Sequence, residues 1–295
     1  MKCEAREPSE RPCFASPCFN NSTLFISDLD GTLLNGSAEL SAYTISRLNA
    51  MIAEGLQFSV ATARTFATTG KILAGLTLKL PIVLMNGVLI YDMGRKLYAQ
   101  ANYLAPNAVT AIIETLRRFE LTGLMYELKD GALMTYHESL EQKQLRDFVE
   151  ERISKYNKPF RHTDGFENIS PDSIIYFMLL DKRDKLLPVH DALSSRTDLR
   201  MALYEDNYRP GFWYLEFFNE KASKQNAVNY LREEYGYECV VGFGDNLNDL
   251  PMFAACDIKI AVENAKPEVK DAANHICGSN ENDGVAKWLE ERVLR

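Results

Sequence analysis

The pattern that most constrains the fold is an alternation of short apolar segments with amphipathic segments, which stops in the middle of the chain and later resumes. Residues 23–27, 58–62 and 81–87 are rich in β-branched and aromatic side chains and are predicted to be strands. Residues 41–54 and 65–76 carry apolar side chains at helical spacing. Strands that alternate with helices in this way predict a parallel sheet with right-handed crossovers.

The same alternation returns in the last quarter of the chain. Helices are predicted over residues 223–236 and 284–294, and strands over residues 238–245 and 258–262. Because these segments continue the pattern of the first 87 residues, we expect them to complete the same sheet.

The middle of the chain has a different pattern. It contains two predicted hairpins, over residues 123–136 and 200–218, and Asp130-Gly131 supplies the turn of the first. Hairpins mixed with helices are typical of an α+β unit. The other predicted elements of this unit are one strand and two helices, over residues 173–180, 138–155 and 183–195.

Together these patterns predict an α/β fold in which a Rossmann-like, doubly wound parallel sheet forms the core and an α+β cap domain is inserted into it. The core is predicted from residues 22–87 and 219–295, and the cap from residues 88–218. Residues 1–21 are expected to form a flexible lead-in to the core.

Composition narrows the class of partner and the compartment. The net charge of −8 argues against nucleic acid or an anionic membrane as the main partner. No apolar run reaches the ~18 residues that a membrane-spanning helix needs. The six cysteines are scattered and form no C-x-x-C pair, which favours a reducing compartment. We therefore expect a cytoplasmic protein that is a monomer or a weak homo-oligomer.

Polar side chains follow several of the predicted core strands. In open parallel sheets, ligands bind beyond the carboxyl ends of the strands, so these residues are expected to meet. Several carboxylates without compensating arginines would repel one another unless they were protonated or bound to a cation. Oxygen ligands select a hard ion such as Mg²⁺, which in turn favours a phosphate ligand. The candidate residues are Asp28, Asp30, Thr62, Ala63, Lys224, Asp245, Asn248 and Asp249.

Four short motifs in this chain resemble those of the haloacid dehalogenase superfamily of phosphohydrolases, and they occur in the same order. They read DLDGTLL, ATAR, SKQNAV and GDNLNDLPMF. The insertion between the second and third motifs is similar to the cap of the Cof-type subfamily. The stretches AVENAKPEVKDAA and NDGVAKWL also resemble the C-terminal part of that subfamily. The resemblance covers about residues 22–295.

The resemblance implies a Mg²⁺-dependent phosphatase that acts through an aspartyl-phosphate. Asp28 matches the nucleophile, and Asp30 matches the general acid and base. Magnesium would be bound by the Asp28 carboxylate, the Asp30 carbonyl and Asp245, with Asp249 beyond the direct ligands or orienting Lys224. The residues implied to hold the phosphoryl group are Leu29, Thr62, Ala63, Lys224 and Asn248.

Two positions depart from the usual motifs. Ala63 stands where the second motif usually has glycine, and its methyl group is expected to be tolerated if φ is negative. The third motif region offers two lysines, Lys221 and Lys224, of which Lys224 is the better match because it begins a predicted helix.

The expected substrate is a small phosphorylated metabolite such as a sugar phosphate, and the cap, residues 88–218, is expected to set specificity. Within it, residues 205–211 are predicted to form a hairpin tip that is either an ordinary exposed turn or a loop presented to ligand.

Several other functions stay open at this point. A phosphotransferase or mutase would use the same fold, as would a non-catalytic regulator that binds a phosphorylated ligand. A calcium loop at residues 28–36 lacks a third acidic or amide residue before the glycine. A dinucleotide site at residues 240–247 would place acidic residues against the pyrophosphate.

Overall fold

The computed structural model describes residues 21–206 and 209–293. Residues 1–20 of the predicted lead-in, and residues 207 and 208 of the predicted hairpin tip, lie outside the described residues. Within the described ranges, no helix combines the length and the apolar character that crossing a membrane requires. The cytoplasmic location and the oligomeric state stay predictions.

Strands and helices alternate in the first and last parts of the described chain. The strands, in chain order, are β1 (Thr23–Ser27), β2 (Gln57–Val60), β3 (Ile82–Leu84), β4 (Leu89–Asp92), β5 (Leu97–Ala101), β6 (Leu124–Lys129), β7 (Ala132–His137), β8 (Phe160–His162), β9 (Ile174–Asp181), β10 (Leu199–Glu205), β11 (Trp213–Asn219), β12 (Cys239–Gly244), β13 (Ile258–Val262) and β14 (His275–Cys277). The α-helices are α1 (Ala42–Ala53), α2 (Phe66–Ile72), α3 (Pro106–Arg118), α4 (Lys143–Tyr156), α5 (Arg183–Leu193), α6 (Lys224–Tyr235), α7 (Leu250–Ala255), α8 (Pro267–Ala272) and α9 (Gly284–Val293).

The core is a five-stranded parallel sheet in the order β14-β13-β12-β1-β2. Strand β1 lies between β12 and β2, and all five of its residues are buried. Because parallel strands end at the same edge of a sheet, the residues that follow β1, β2 and β12 lie next to one another. The predicted α/β fold with a parallel core is confirmed.

Strand β3 extends this sheet by a single parallel bridge between Ala61 and Val83. It also pairs with β4, and β4 pairs with β5, both antiparallel. The β4–β5 hairpin therefore belongs with β3, although the predicted cap began at residue 88. The division into core and cap is still a proposal, and this pairing favours a boundary after Ala101.

The middle of the chain forms a six-stranded sheet in the order β10-β11-β9-β6-β7-β8. Residues along β9 alternate between its two faces: Phe177 and Leu179 pack with α3 and α5, whereas Tyr176 and Met178 join the hydrophobic core on the other side. The turn between β6 and β7 has positive φ at Asp130 (51°) and Gly131 (75°), as the Asp-Gly pair predicts.

Candidate active site

The segment that leaves β1 is a tight turn that aims polar groups at the carboxyl end of the sheet. The Asp28 amide still donates to the Phe243 carbonyl at 2.9 Å, so Asp28 keeps its place beside β12. Gly31 follows with φ of +81°, and a Cβ built there would lie 2.5 Å from Oδ2 of Asp245. The turn therefore needs glycine both for its backbone conformation and for the close approach of β1 to the loop after β12.

A buried lysine joins two of the predicted carboxylates. The Nζ atom of Lys224 lies 2.5 Å from Oδ1 of Asp28 and 2.7 Å from Oδ1 of Asp249. Lys224 is only 1% exposed, Asp28 5% and Asp249 0%. Burial disfavours the lysine's charge, but Asp249 and Asp28 outweigh it and raise the pKa of Lys224. Lys224 is therefore held as an ammonium ion.

The position of Lys224 is set by the start of α6. The Ser223 hydroxyl accepts a hydrogen bond from the Asn226 amide at 3.0 Å and so caps the helix. A Cβ at Gly87 would lie 2.2 Å from the Ser223 carbonyl oxygen, so the turn after β3 packs directly on the residue before Lys224. Two separate segments thus fix the first turn of this helix.

Asp249 is engaged through both of its carboxylate oxygens. Oδ2 accepts hydrogen bonds from the amides of Asp245 (3.0 Å) and Asn246 (3.1 Å), while Oδ1 faces Lys224. These bonds hold the loop after β12 in shape. They favour a role for Asp249 in orienting its neighbours, as the sequence predicts, over direct contact with a ligand.

Asp245 completes a cluster of carboxylates with Asp28 and Asp249. One oxygen from each of the three lies within 4.8 Å of the others. The Thr32 hydroxyl donates to Oδ1 of Asp245 at 2.7 Å. The pKa of Asp245 is raised to about 6, and burial is the largest cause. The hydrogen bond from Thr32 lowers this pKa, and the charge of Asp249 raises it. A cation placed among these oxygens would relieve their mutual repulsion.

Burial also raises the pKa of Asp28 well above its usual range; Asp249 adds to this effect and Lys224 opposes it. Asp28 and Asp245, whose pKa values are both raised, belong with Asp249 to one cluster of three carboxylates. Such a group of oxygen donors is suited to a hard cation.

Asp30 makes a contact that the sequence did not predict. Arg64, which follows β2, donates from Nε to Oδ2 at 2.7 Å and from Nη2 to Oδ1 at 2.5 Å. The Asp30 side chain is 42% exposed, so this two-point contact lies at the mouth of the site. The only signal in the sequence was that Arg64 follows a predicted strand, and that gave no direction for its side chain.

The remaining predicted residues lie at the same edge of the sheet. Thr62 is buried, and its hydroxyl accepts a hydrogen bond from the Arg64 amide at 3.2 Å. Ala63 is exposed and lies outside the left-handed region, so its methyl group causes no backbone strain. Leu29 is buried within the turn, and Asn248 is exposed on the 3₁₀ turn that carries Asp249.

A cavity of about 550 Å³ opens beside Asp30 and runs up to the six-stranded sheet. Its lower wall, on the side of the core, contains Asp30, Ala63 and Arg64. Its upper wall, on the side of the six-stranded sheet and α4, is rich in tyrosine. The described part of the predicted hairpin tip contributes Glu205, Asp206 and Arg209 to the upper wall. This placement favours the interpretation of the tip as a loop presented to ligand.

The comparisons with known proteins agree on one family. Residues 25–289 match the family model described as haloacid dehalogenase-like hydrolase. The 5-amino-6-(5-phospho-D-ribitylamino)uracil phosphatase YwtE of Bacillus subtilis is 26% identical, over 90% of this chain and 96% of its own length. The pyridoxal phosphate phosphatase YbhA of Escherichia coli is 25% identical, over 90% of this chain and 97% of its own length.

A solved structure gives the same result for the fold. The crystal structure of a haloacid dehalogenase-like hydrolase from Bacteroides thetaiotaomicron superposes with a TM-score of 0.77 at 26% identity. The match covers 91% of this chain and 98% of that one, so it includes both the parallel core and the six-stranded sheet.

Proposed function

The chain belongs to the haloacid dehalogenase-like hydrolases, and we propose that it is a Mg²⁺-dependent phosphatase of small phosphorylated metabolites, such as sugar phosphates, that acts through an aspartyl-phosphate. Membership of this family confirms the predicted resemblance, and the relatives identify the protein as a phosphoric monoester hydrolase. The observation that carries the finer proposal is the buried contact of Lys224 with both Asp28 and Asp249.

In the first step, Asp28 acts as the nucleophile. One of its carboxylate oxygens forms a bond to phosphorus while the bond between phosphorus and the leaving oxygen breaks. The Lys224 ammonium has three N–H donors, of which two serve Asp28 and Asp249. The third is proposed to bind a phosphoryl oxygen, together with the Thr62 hydroxyl, the amides near Leu29 and Ala63, and the Asn248 side chain.

Asp30 is proposed to move the proton in both steps. In its protonated form it donates a proton to the leaving oxygen, and the carboxylate that results then removes a proton from the water that attacks phosphorus and breaks the bond to Asp28. Both of its oxygens accept hydrogen bonds from Arg64 in the structure, so a substrate must compete with Arg64 for this carboxyl group. Arg64 therefore fixes the direction of Asp30 before substrate arrives.

The donor set suits magnesium. The proposed ligands are the carboxylates of Asp28 and Asp245 and the carbonyl oxygen of Asp30, all of them hard oxygen donors. Asp249 is left to orient Lys224 because its oxygens already accept hydrogen bonds. When bound, Mg²⁺ would reduce the repulsion between an anionic nucleophile and an anionic phosphate.

The cavity and the relatives support the proposed substrate class. YwtE acts on a phosphorylated sugar alcohol joined to a uracil ring, and YbhA acts on pyridoxal phosphate. A cavity of about 550 Å³ is of the size that holds one small molecule. The inserted sheet forms its upper wall, which supports the proposal that this part of the chain selects the leaving group.

Phosphate release tests this proposal directly. Wild-type protein with Mg²⁺ should release inorganic phosphate from sugar phosphates, and EDTA should slow release by at least about a hundredfold, because the ion stabilises the transition-state charge by several kcal/mol. Full activity in metal-free buffer would contradict the metal assignment. Transfer of phosphate to a second sugar instead of water would indicate a phosphotransferase, and binding without turnover would indicate a regulator.

Replacement of Asp30 by asparagine should separate its proton transfer from the chemistry of Asp28. We expect a loss of about 10²- to 10⁴-fold for a sugar phosphate, whose leaving alkoxide needs a proton. The loss should be much smaller for p-nitrophenyl phosphate, whose leaving group is stable as an anion. Initial rates on both substrates measure the ratio, and equal losses would show that Asp30 is not the acid.

A further inference from the structure

Lys158 is a buried lysine in the upper wall of the cavity. It follows α4 and precedes β8, and its residue is only 5% exposed. Its Nζ atom lies 3.4 Å from the Tyr126 hydroxyl, 4.5 Å from the centre of the Tyr126 ring and 5.0 Å from that of Phe160. Within residues 21–206 and 209–293, the lysines that form ion pairs with carboxylates are Lys143, Lys155, Lys185 and Lys224, and Lys158 is not among them.

The other cations in this wall have carboxylate partners, but Arg152 shares its partner, Glu151, with Lys155 and Arg209. Arg209 lies 2.9 Å from Asp206, and Arg152 and Lys155 lie 2.9 Å and 3.3 Å from Glu151. Lys158 has instead a second cation as its neighbour. Burial, the largest cause, and the charge of Arg152 lower the pKa of Lys158 to about 7.

Contacts within the protein satisfy only part of the hydrogen-bonding capacity of Lys158. Lys158 is packed between two aromatic rings, a place that an apolar side chain would fill without the cost of burying a charge. The contact with Tyr126 satisfies one of its three N–H donors. Its position in the wall of an open cavity leaves the others to a molecule that enters the cavity.

The cavity also relates Lys158 to the reaction. Asp30, Ala63 and Arg64 bound it from the core, and Lys158, Arg152 and Tyr126 bound it from the six-stranded sheet and α4. A substrate whose phosphate lies beside Asp28 and Asp30 would place its leaving group in the cavity that Lys158 lines.

We propose that Lys158 and Arg152 form an anion subsite in the cap, and that preferred substrates carry a second anionic group, a carboxylate or a second phosphate, on the leaving group. This inference rests on the proposed function for the placement of the first phosphate. It narrows the substrate class from phosphorylated metabolites in general to those with two separated negative groups.

A matched pair of substrates tests the subsite. Glucose 6-phosphate and 6-phosphogluconate have the same number of carbon atoms, but only the second ends in a carboxylate. Wild-type protein should have the higher kcat/KM for 6-phosphogluconate. The Lys158→Met variant should lose about tenfold to a hundredfold on that substrate, mainly through KM, because a charged hydrogen bond is removed. Its loss on glucose 6-phosphate and on phenyl phosphate should stay within about threefold.

Lys155→Met is the matched control, since it removes one positive charge from the same wall but from a side chain that is 63% exposed and paired with Glu151. We expect it to change the three substrates by similar, small factors. Equal losses on all three substrates in Lys158→Met, or an equal effect of Lys155→Met, would overturn the subsite. So would a wild-type protein that does not favour 6-phosphogluconate.

Binding separates failure of the subsite from failure of the proposed function. If wild-type protein hydrolyses none of the three substrates, the proposed function fails. Calorimetry of the two sugar ligands then decides the subsite: 6-phosphogluconate should bind more tightly than glucose 6-phosphate, and Lys158→Met should remove the difference. Equal affinities in the wild type would contradict the subsite. A thermal melt of each variant confirms that it is folded.

Discussion

Replacement of Asp28 by asparagine should reduce turnover by on the order of 10⁴-fold or more while the protein stays folded. The carboxylate oxygen is the atom that forms the covalent bond to phosphorus, and an amide oxygen is a far poorer nucleophile. Asparagine has nearly the same shape, and its amide oxygen can still accept the hydrogen bond that Lys224 donates to Oδ1. Loss of activity with an intact fold is therefore the expected result for every substrate.

Two measurements make this result specific. Acid quenching of wild-type protein during turnover should leave phosphate on the peptide that contains Asp28, and the variant should carry none. Asp271→Asn, which removes an exposed carboxylate from α8, should have normal turnover and serves as the control for loss of one negative charge. An Asp28→Asn protein that keeps a tenth of wild-type turnover would rule out Asp28 as the nucleophile.

Much of the core could be predicted because its signals are local. The strands predicted over residues 23–27 and 258–262 agree with β1 and β13, where apolar runs are bounded by polar residues. The carboxylates could be expected to converge because parallel strands end at one edge, and Asp28, Asp245 and Asp249 do lie together. Once the sheet topology is recognised, it predicts that residues more than 200 positions apart in the sequence lie close together in space.

Other elements differ from the prediction because local turns and side-chain caps set where they begin and end. The strand predicted over residues 81–87 ends at Leu84, because Met85 and Asn86 adopt positive φ and turn the chain toward Ser223. The helix predicted from residue 138 begins at Lys143, where the Gln142 side chain accepts a hydrogen bond from the Leu145 amide and caps it. Periodicity alone does not locate such ends.

Some features depend on side-chain direction and could not be predicted from the sequence. The contact between Arg64 and Asp30 joins residues on two loops, and a flexible guanidinium gives no sequence signal of its target. Lys158 was likewise indistinguishable from an exposed lysine until its packing against Tyr126 and Phe160 was known. Helix α3 was not predicted, although Pro106 and the helical spacing of its buried residues were a usable signal.

Replacement of Lys224 by methionine should damage stability as well as activity. Lys224 is the cation between Asp28 and Asp249, and the variant would leave two buried carboxylates without it. Removing one partner of a buried ion pair typically lowers the free energy of unfolding by about 3–5 kcal/mol. Loss of a donor to the transferred phosphoryl group should also lower kcat/KM by about 10²- to 10³-fold.

The loss of stability should depend on pH and on magnesium. Burial and Asp249 already raise the pKa of Asp28, and removal of the lysine raises it further. A carboxyl group whose pKa is higher in the folded state favours folding when protonated, so the loss should be larger at pH 7.5 than at pH 5. Mg²⁺ binds the folded carboxylates and should restore part of the lost stability. Urea unfolding at both pH values, with Mg²⁺ and with EDTA, measures these effects.

Lys221→Met is the control, because Lys221 is the other lysine of the third motif region. It is exposed, and its backbone amide, not its side chain, contacts Asn219. Its loss should change the free energy of unfolding by no more than about 0.5 kcal/mol and leave turnover near that of the wild type.

If Lys221→Met were the more damaging variant, the assignment of the motif lysine would be wrong. If Lys224→Met were as stable as the wild type at pH 7.5 in EDTA, the two carboxylates would not depend on it. We expect three results together: a pH-dependent loss of stability in Lys224→Met, partial recovery of that stability with Mg²⁺, and a Lys221→Met variant that behaves like the wild type. This combination is expected only if Lys224 balances the charge of the nucleophile in the resting protein.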